Sequence, residues 1–159
     1  MGCGTGLVGE ELVKIGFDPK RIWGIDASQG MLDVTAKKHC YEGELIHMFL
    51  GQPATFRADL YNKFDVVTAA GILAEGHLMS EVFDEMLHAL KQGGHAIFTT
   101  RQMYLEKYGY GKAIDELERR GFWKKVKVST FKRYENIGDD QQIGRFKPVE
   151  AMCFVYQKK

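Results

Sequence analysis

The sequence predicts an α/β domain on a mostly parallel sheet, closed at its C-terminal end by an antiparallel hairpin. Two observations carry this. From Leu7 to about Arg120, helical periods alternate with short β-branched runs, which demands parallel strands joined by right-handed crossovers. After Gly121 come two long β runs with no helix between them, which reverses the sheet's last strands. A third observation sets the scale: 159 residues is one domain's worth of chain. Such a chain buries roughly 70% of its unfolded surface.

Leu7 to Ile15 places apolar residues at 7, 8, 12, 13 and 15 around Glu10, Glu11 and Lys14, a helical period that Gly16 stops. Arg21 to Asp26 is a short strand ending in an acid. Ser28 is placed to cap a helix from Gln29 to about His39. Leu45 to Leu50 reads as a strand and residues 51 to 63 as loop. Phe64 to Gly71 is a buried strand by its apolar, β-branched run. Ser80 is the expected cap of a helix whose apolar face is Val82, Phe83, Met86, Leu87 and Leu90, closed by Gly93-Gly94. Ala96 to Thr100 is the next strand, followed by a helix from about Gly111 to Arg120 that Gly121 ends. Val126 to Tyr134 and Ala151 to Gln157 form the hairpin, joined by polar Gly138-Asp139-Asp140-Gln141-Gln142.

Hydrophobic residues make up 45% and charged residues 27% of the chain, which excludes disordered, collagen-like and coiled-coil classes. The net charge is +1, so no global field calls for nucleic acid or an anionic membrane. Residues 1–100 carry 8 basic and 13 acidic groups, net −5, and residues 101–159 carry 14 and 8, net +6. That basic third reads as a solvated face, with an acidic partner as the alternative. Cys3, Cys40 and Cys153 are odd in number and scattered, which argues for a reducing, cytoplasmic setting. No apolar run is long enough to span a membrane. The histidines show no ligand spacing with any cysteine or acid, so no metal site is expected. Met79, Met86 and Met103 read as core filler.

The chemistry-bearing feature is Gly2-Cys3-Gly4-Thr5-Gly6, which opens a helix, with Asp26 at the end of the following strand 22 residues after Gly4. Glycines let a backbone turn tightly and approach a ligand, and a helix N-terminus offers free N–H groups. A strand-end acid can accept both ribose hydroxyls. The pattern describes a nucleoside-containing cofactor. Gly4-x-Gly6-x-x-Gly9 also satisfies the dinucleotide fingerprint, so a nicotinamide-dependent oxidoreductase is an alternative. The reversed hairpin and the short chain count against it.

Gly2-Cys3-Gly4-Thr5-Gly6, Gly24-Ile25-Asp26-x-Ser28-x-x-Met31-Leu32, Phe64-Asp65-Val66-Val67 and Gly93-Gly94 before a strand resemble the class I S-adenosylmethionine-dependent methyltransferases. Gly71-x-Leu73-x-Glu75-Gly76-His77, Thr99-Thr100-Arg101 and Leu117-Glu118-x-x-Gly121-x-Trp123 are similar to the Williams-Beuren-region methyltransferase-like family within it. The resemblance implies a Rossmann-like sheet and S-adenosylmethionine as cofactor. It implies that Gly2, Gly4, Thr5 and Gly6 pass under the methionine and ribose and that Asp26 holds the ribose hydroxyls. Ala27, Ser28 and Met31 would flank the adenosine, and Gly71 would face the methyl group. The loop at Gly51 and Gln52 would read adenine, with Asp59 competing for that role. Glu75 and His77 follow Gly71 and are the candidate proton acceptors. The alternative for them is a turn cap and a solvated ring, since in a direct displacement at a sulfonium methyl positioning can supply much of the barrier reduction without any base. Tyr104, Tyr108 and Tyr110 are candidates for lining the substrate pocket.

The family's glycine motif follows a strand ending in an acid, whereas this sequence starts at Met1-Gly2. The expectation is a sheet whose first strand is missing. Five buried apolar side chains at ~1.5–3 kcal/mol each amount to on the order of 10 kcal/mol, against a net domain stability of about 5–15 kcal/mol. Three readings follow: an incomplete copy of an active enzyme, an inactive relative that acts by binding, or a domain whose strand is donated by another chain. The predicted reaction is methyl transfer to a small-molecule or protein acceptor. No Asn-Pro-Pro-Tyr run follows the fourth strand, and nucleic acid is disfavoured as acceptor.

Overall fold

The computed structural model describes residues 1–133 and 149–159. Helix α1 spans Leu7–Lys14, followed by β1 (Trp23–Asp26), α2 (Gln29–Ala36) and β2 (Glu44–His47). Then come β3 (Phe64–Leu73), α3 (Val82–Ala89) and β4 (Leu90–Thr100). The chain continues through α4 (Gln102–Lys107), α5 (Tyr110–Arg119), β5 (Trp123–Arg133) and β6 (Val149–Lys158). Strands joined through helices pair in parallel, β1 with β2 and β3 with β4. The late pair is antiparallel: β6 lies between β4 and β5, running against both. The polar 138–142 segment predicted to join the hairpin lies outside the described residues.

The strands fall into two sheets, β1-β2 and β3-β4-β6-β5. The backbone of residues 1–3 bridges them: the Cys3 amide donates to the Ile25 carbonyl (3.0 Å) and the Met1 amine to the Thr68 carbonyl (2.8 Å). Trp23 and Phe64 meet edge to face across the same seam, with 5.6 Å between ring centroids.

Several boundaries differ from those read in the sequence, each for a local reason. Arg21 belongs to a 3₁₀ turn, Pro19–Arg21, capped by the Asp18 carboxylate on the Lys20 amide, so β1 starts two residues later. Ser28 is the cap predicted, its hydroxyl accepting from the Met31 amide (3.3 Å), but α2 stops at Ala36 because His39 takes a left-handed φ of 52°. Ser80 is not a side-chain cap: α3 begins after Glu81 with no side chain on its free amides. Gly93-Gly94 does not close α3 either. The helix ends at Ala89, where the Lys158 ammonium takes the carbonyls of Leu87 (2.6 Å) and Leu90 (2.7 Å), and the two glycines lie within β4. Helix α4 and the 3₁₀ turns at 53–55 and 58–60 were not anticipated.

The core sits where α3 and α5 cover the four-stranded sheet. Val82, Phe83, Met86 and Leu87 of α3 and Ile114 and Leu117 of α5 are buried with Phe98, Trp123, Phe154 and Tyr156 of the strands. Met86 is core as expected, but Met79 and Met103 are exposed, at 48% and 60%, because each sits outside the buried helix faces.

Candidate functional site

The glycine motif, the end of β1 and the end of β3 meet at one place. Asp26 ends β1 and accepts the Gly4 amide on Oδ2 (2.8 Å) and the Ser28 amide on Oδ1 (2.9 Å). Each oxygen thus keeps a lone pair for a further donor. Gly2 packs so closely on Ile72, near the end of β3, that a Cβ there would collide with the isoleucine side chain. Gly4 and Gly6 take φ of 54° and 88°, conformations that favour glycine. A Cβ built on Gly4 has nothing within 4 Å, so at Gly4 the loop faces open space.

Two buried groups hold this loop that sequence reasoning did not find. Thr35 of α2 is fully buried and its hydroxyl donates to the Gly4 carbonyl (2.7 Å). The Cys40 thiol points at the Gly6 carbonyl (3.7 Å). Thr35→Val keeps the volume and removes the donor, leaving a carbonyl unpaired. The expected loss is about 1–3 kcal/mol, a fall of roughly 2–4 °C in Tm per kcal/mol. Differential scanning calorimetry checks this, and an unchanged Tm would contradict the loop-anchoring role. Burial pushes the Cys3 thiol up to about 11, so the loop presents a neutral thiol near pH 7.

The predicted neighbours of an adenosine follow Asp26. The Ala27 carbonyl accepts from His47 Nε2 (2.8 Å), Ser28 caps α2, and the Met31 side chain is 43% exposed. On the other side, Gly51 and Gln52 donate their amides to the two oxygens of Glu85 (2.8 and 2.9 Å). Asp59 is already paired. It is clamped by Arg57 (2.6 Å), which also reaches Glu44, the first residue of β2 and so at the far end from Asp26 and His47.

Residues 72–78 run from the glycine motif to Gly51: Ile72 touches Gly2, and Leu78 lies 3.5 Å from a Cβ built on Gly51. The Tyr110 hydroxyl donates to the Leu78 carbonyl (2.6 Å). Tyr110→Phe is expected to lower stability by about 1 kcal/mol. Urea denaturation measures it, and a change below a few tenths would sink the anchoring role. Gly71 has a φ of 84°. Glu75 pairs with Lys107 (3.1 Å), and that ammonium holds its carboxyl below the ordinary range. His77 is exposed. The two candidate bases thus stand on one loop, Glu75 held in an ion pair and His77 exposed. Tyr104, Tyr108 and Tyr110 form a row of rings tilted against one another, with centroids 5.2 and 5.8 Å apart. Tyr104 and Tyr110 are buried, and Tyr110 is bonded to this segment through Leu78.

All three cysteines are free. Among the described residues no three His, Cys, Asp or Glu side chains gather as a metal site, and no helix is long and apolar enough to cross a membrane.

Residues 1–94 match a family model described as a methyltransferase domain. The chain is similar to human methyltransferase-like protein 27, 33% identical over 126 residues, covering 77% of this chain and 49% of that one. It is also similar to the ubiquinone biosynthesis O-methyltransferase of Methylococcus capsulatus, 34% identical over 109 residues, covering 68% and 44%. The chain spans about half the length of these relatives. Among solved structures, the N-methyltransferase NodS from Bradyrhizobium japonicum, in complex with S-adenosylhomocysteine, shares the fold. Its TM-score is 0.66 at 17% identity, covering 99% of this chain and 74% of that one. A putative S-adenosylmethionine-dependent methyltransferase from Listeria monocytogenes gives 0.68 at 14%, covering 100% and 89%.

Proposed function

The chain belongs to the class I S-adenosylmethionine-dependent methyltransferases, and from that premise we propose that it transfers a methyl group from S-adenosylmethionine to a small-molecule or protein acceptor. The observation that carries this reading is the Gly4–Asp26 hydrogen bond. It sets an open glycine loop and a strand-end carboxylate with spare lone pairs side by side. That pairing fits a sulfonium nucleoside: the loop would accommodate the methionine and ribose, and Asp26 the ribose hydroxyls. Gly2, Thr5, Gly6, Ala27, Ser28, Met31, Gly51 and Gly71 complete the proposed cofactor surface. When bound, the cofactor supplies an electrophilic methyl on sulfur.

The chain's own contribution is orientation and removal of a proton. Residues 72–78 border the glycine loop at Ile72, and Glu75 and His77 on that segment are the proposed acceptors of the substrate's proton. The names of the relatives, an O-methyltransferase and an N-methyltransferase, favour oxygen or nitrogen as the methylated atom. The three free thiols support a reducing, cytoplasmic setting. The β1-β2 and β3-β4-β6-β5 sheets are separate, and the seam between β1 and β3, crossed by the backbone of residues 1–3 and by the Trp23–Phe64 contact, supports strand donation from another chain as the alternative.

The test is transfer of labelled methyl from S-adenosylmethionine to a panel of phenols, amines and proteins. Transfer that disappears in Asp26→Ala is the expected result. A folded chain that binds the cofactor yet methylates nothing in the panel or in cell extract would instead favour a binding module.

A further inference from the structure

Glu85 is wholly buried, a carboxylate on the face of α3 that otherwise carries Val82, Met86 and Ala89 into the core. A charge in such a place is strongly destabilising unless its oxygens are paired. Both are, and by consecutive backbone amides: Gly51 on Oε2 at 2.8 Å and Gln52 on Oε1 at 2.9 Å. Burial pushes the carboxyl up, and the two amides pull it back toward the ionised form. The loop so held also packs on Leu78 through Gly51, and the segment containing Leu78 reaches the glycine motif at Ile72.

We propose that Glu85 is a positioning residue that fixes the backbone of Gly51 and Gln52 as the surface reading the cofactor's base. It does not touch the cofactor; it acts through the two amides, as a bidentate acceptor that no neutral side chain of its size reproduces. A glutamine offers one acceptor oxygen, and its NH₂ would face the second amide, donor against donor. The inference rests on the reading of this site as an S-adenosylmethionine site.

The experiment titrates S-adenosylhomocysteine and its inosine analogue, which carries a carbonyl oxygen in place of the adenine amino group, into the unmodified chain and into Glu85→Gln. The unmodified chain is expected to bind the adenine ligand at least tenfold more tightly. Glu85→Gln is expected to lose at least tenfold for the adenine ligand and less than threefold for the analogue, so that discrimination collapses. Equal losses for both ligands, or adenine binding within twofold of the unmodified chain, would overturn the positioning role. Absence of S-adenosylhomocysteine binding by the unmodified chain would overturn the cofactor reading and this inference with it. Amide hydrogen exchange in the unmodified chain serves if the variant does not fold. The Gly51 and Gln52 amides are expected to exchange at least tenfold slower than unstructured ones, and slower again with S-adenosylhomocysteine bound. Exchange at the unstructured rate, or no response to the ligand, overturns it.

Discussion

Asp26→Ala will weaken S-adenosylhomocysteine binding about a hundredfold while leaving the chain folded. The carboxylate does two things at once. It takes the Gly4 and Ser28 amides at 2.8 and 2.9 Å, which sets the glycine loop against the start of α2. In the proposed function its remaining lone pairs would accept the ribose hydroxyls. A hydrogen bond to a charged group contributes about 1.5–3 kcal/mol. Losing the ribose contacts and loosening the loop together comes to roughly 2.8 kcal/mol, two factors of ten at about 1.4 kcal/mol each. Asp26→Asn keeps one acceptor oxygen and should fall between. Calorimetric titration measures both variants. A loss smaller than threefold in Asp26→Ala would mean that the nucleoside is held elsewhere.

Phe98→Ala will produce the largest loss of stability, about 3–5 kcal/mol. Phe98 is fully buried in β4, and four aromatic rings surround it. Phe83 lies at 5.2 Å, Phe154 at 5.3 Å, and Trp123 and Tyr156 at 6.0 Å between centroids. Those rings come from α3, β5 and β6, so removing the phenyl group opens a cavity where the helix layer meets the antiparallel pair. A domain of this size has a net stability of roughly 5–15 kcal/mol, so the variant will be marginal. Guanidinium unfolding followed by tryptophan fluorescence reads the change. A loss below 1 kcal/mol would show that this aromatic cluster is not the centre of the core.

The two halves of the site differed in how far the sequence exposed them. The glycine motif, Asp26 and the Ser28 cap are local patterns: each depends on residues a few positions apart or on a strand-end acid at a recognisable spacing. The antiparallel hairpin was legible for a similar reason, two β runs with no helical period between. What escaped depends on tertiary placement. Glu85 reads in sequence as one more polar residue of an amphipathic helix, and Thr35 as a weak helix former. The available signal was that position 85 falls on the same stripe as Val82, Met86 and Ala89, where a carboxylate has to be answered by donors from outside the helix. The pairing of Asp59 with Arg57, which also reaches Glu44, is likewise tertiary and leaves no mark in the sequence. Residue type alone does not separate exposed Met79 and Met103 from buried Met86, and α4 is too short for a period to show.

The open loop beside Asp26 is the proposed site for S-adenosylmethionine, and titrating ligands into the unmodified 159-residue chain decides whether it is one. S-adenosylhomocysteine is predicted to bind one to one and to stabilise the fold, by about 2.7 kcal/mol at a hundred times its Kd, whereas NAD is predicted to do neither. A chain that circular dichroism shows to be folded, and that ignores S-adenosylhomocysteine or binds NAD more tightly, would contradict the account.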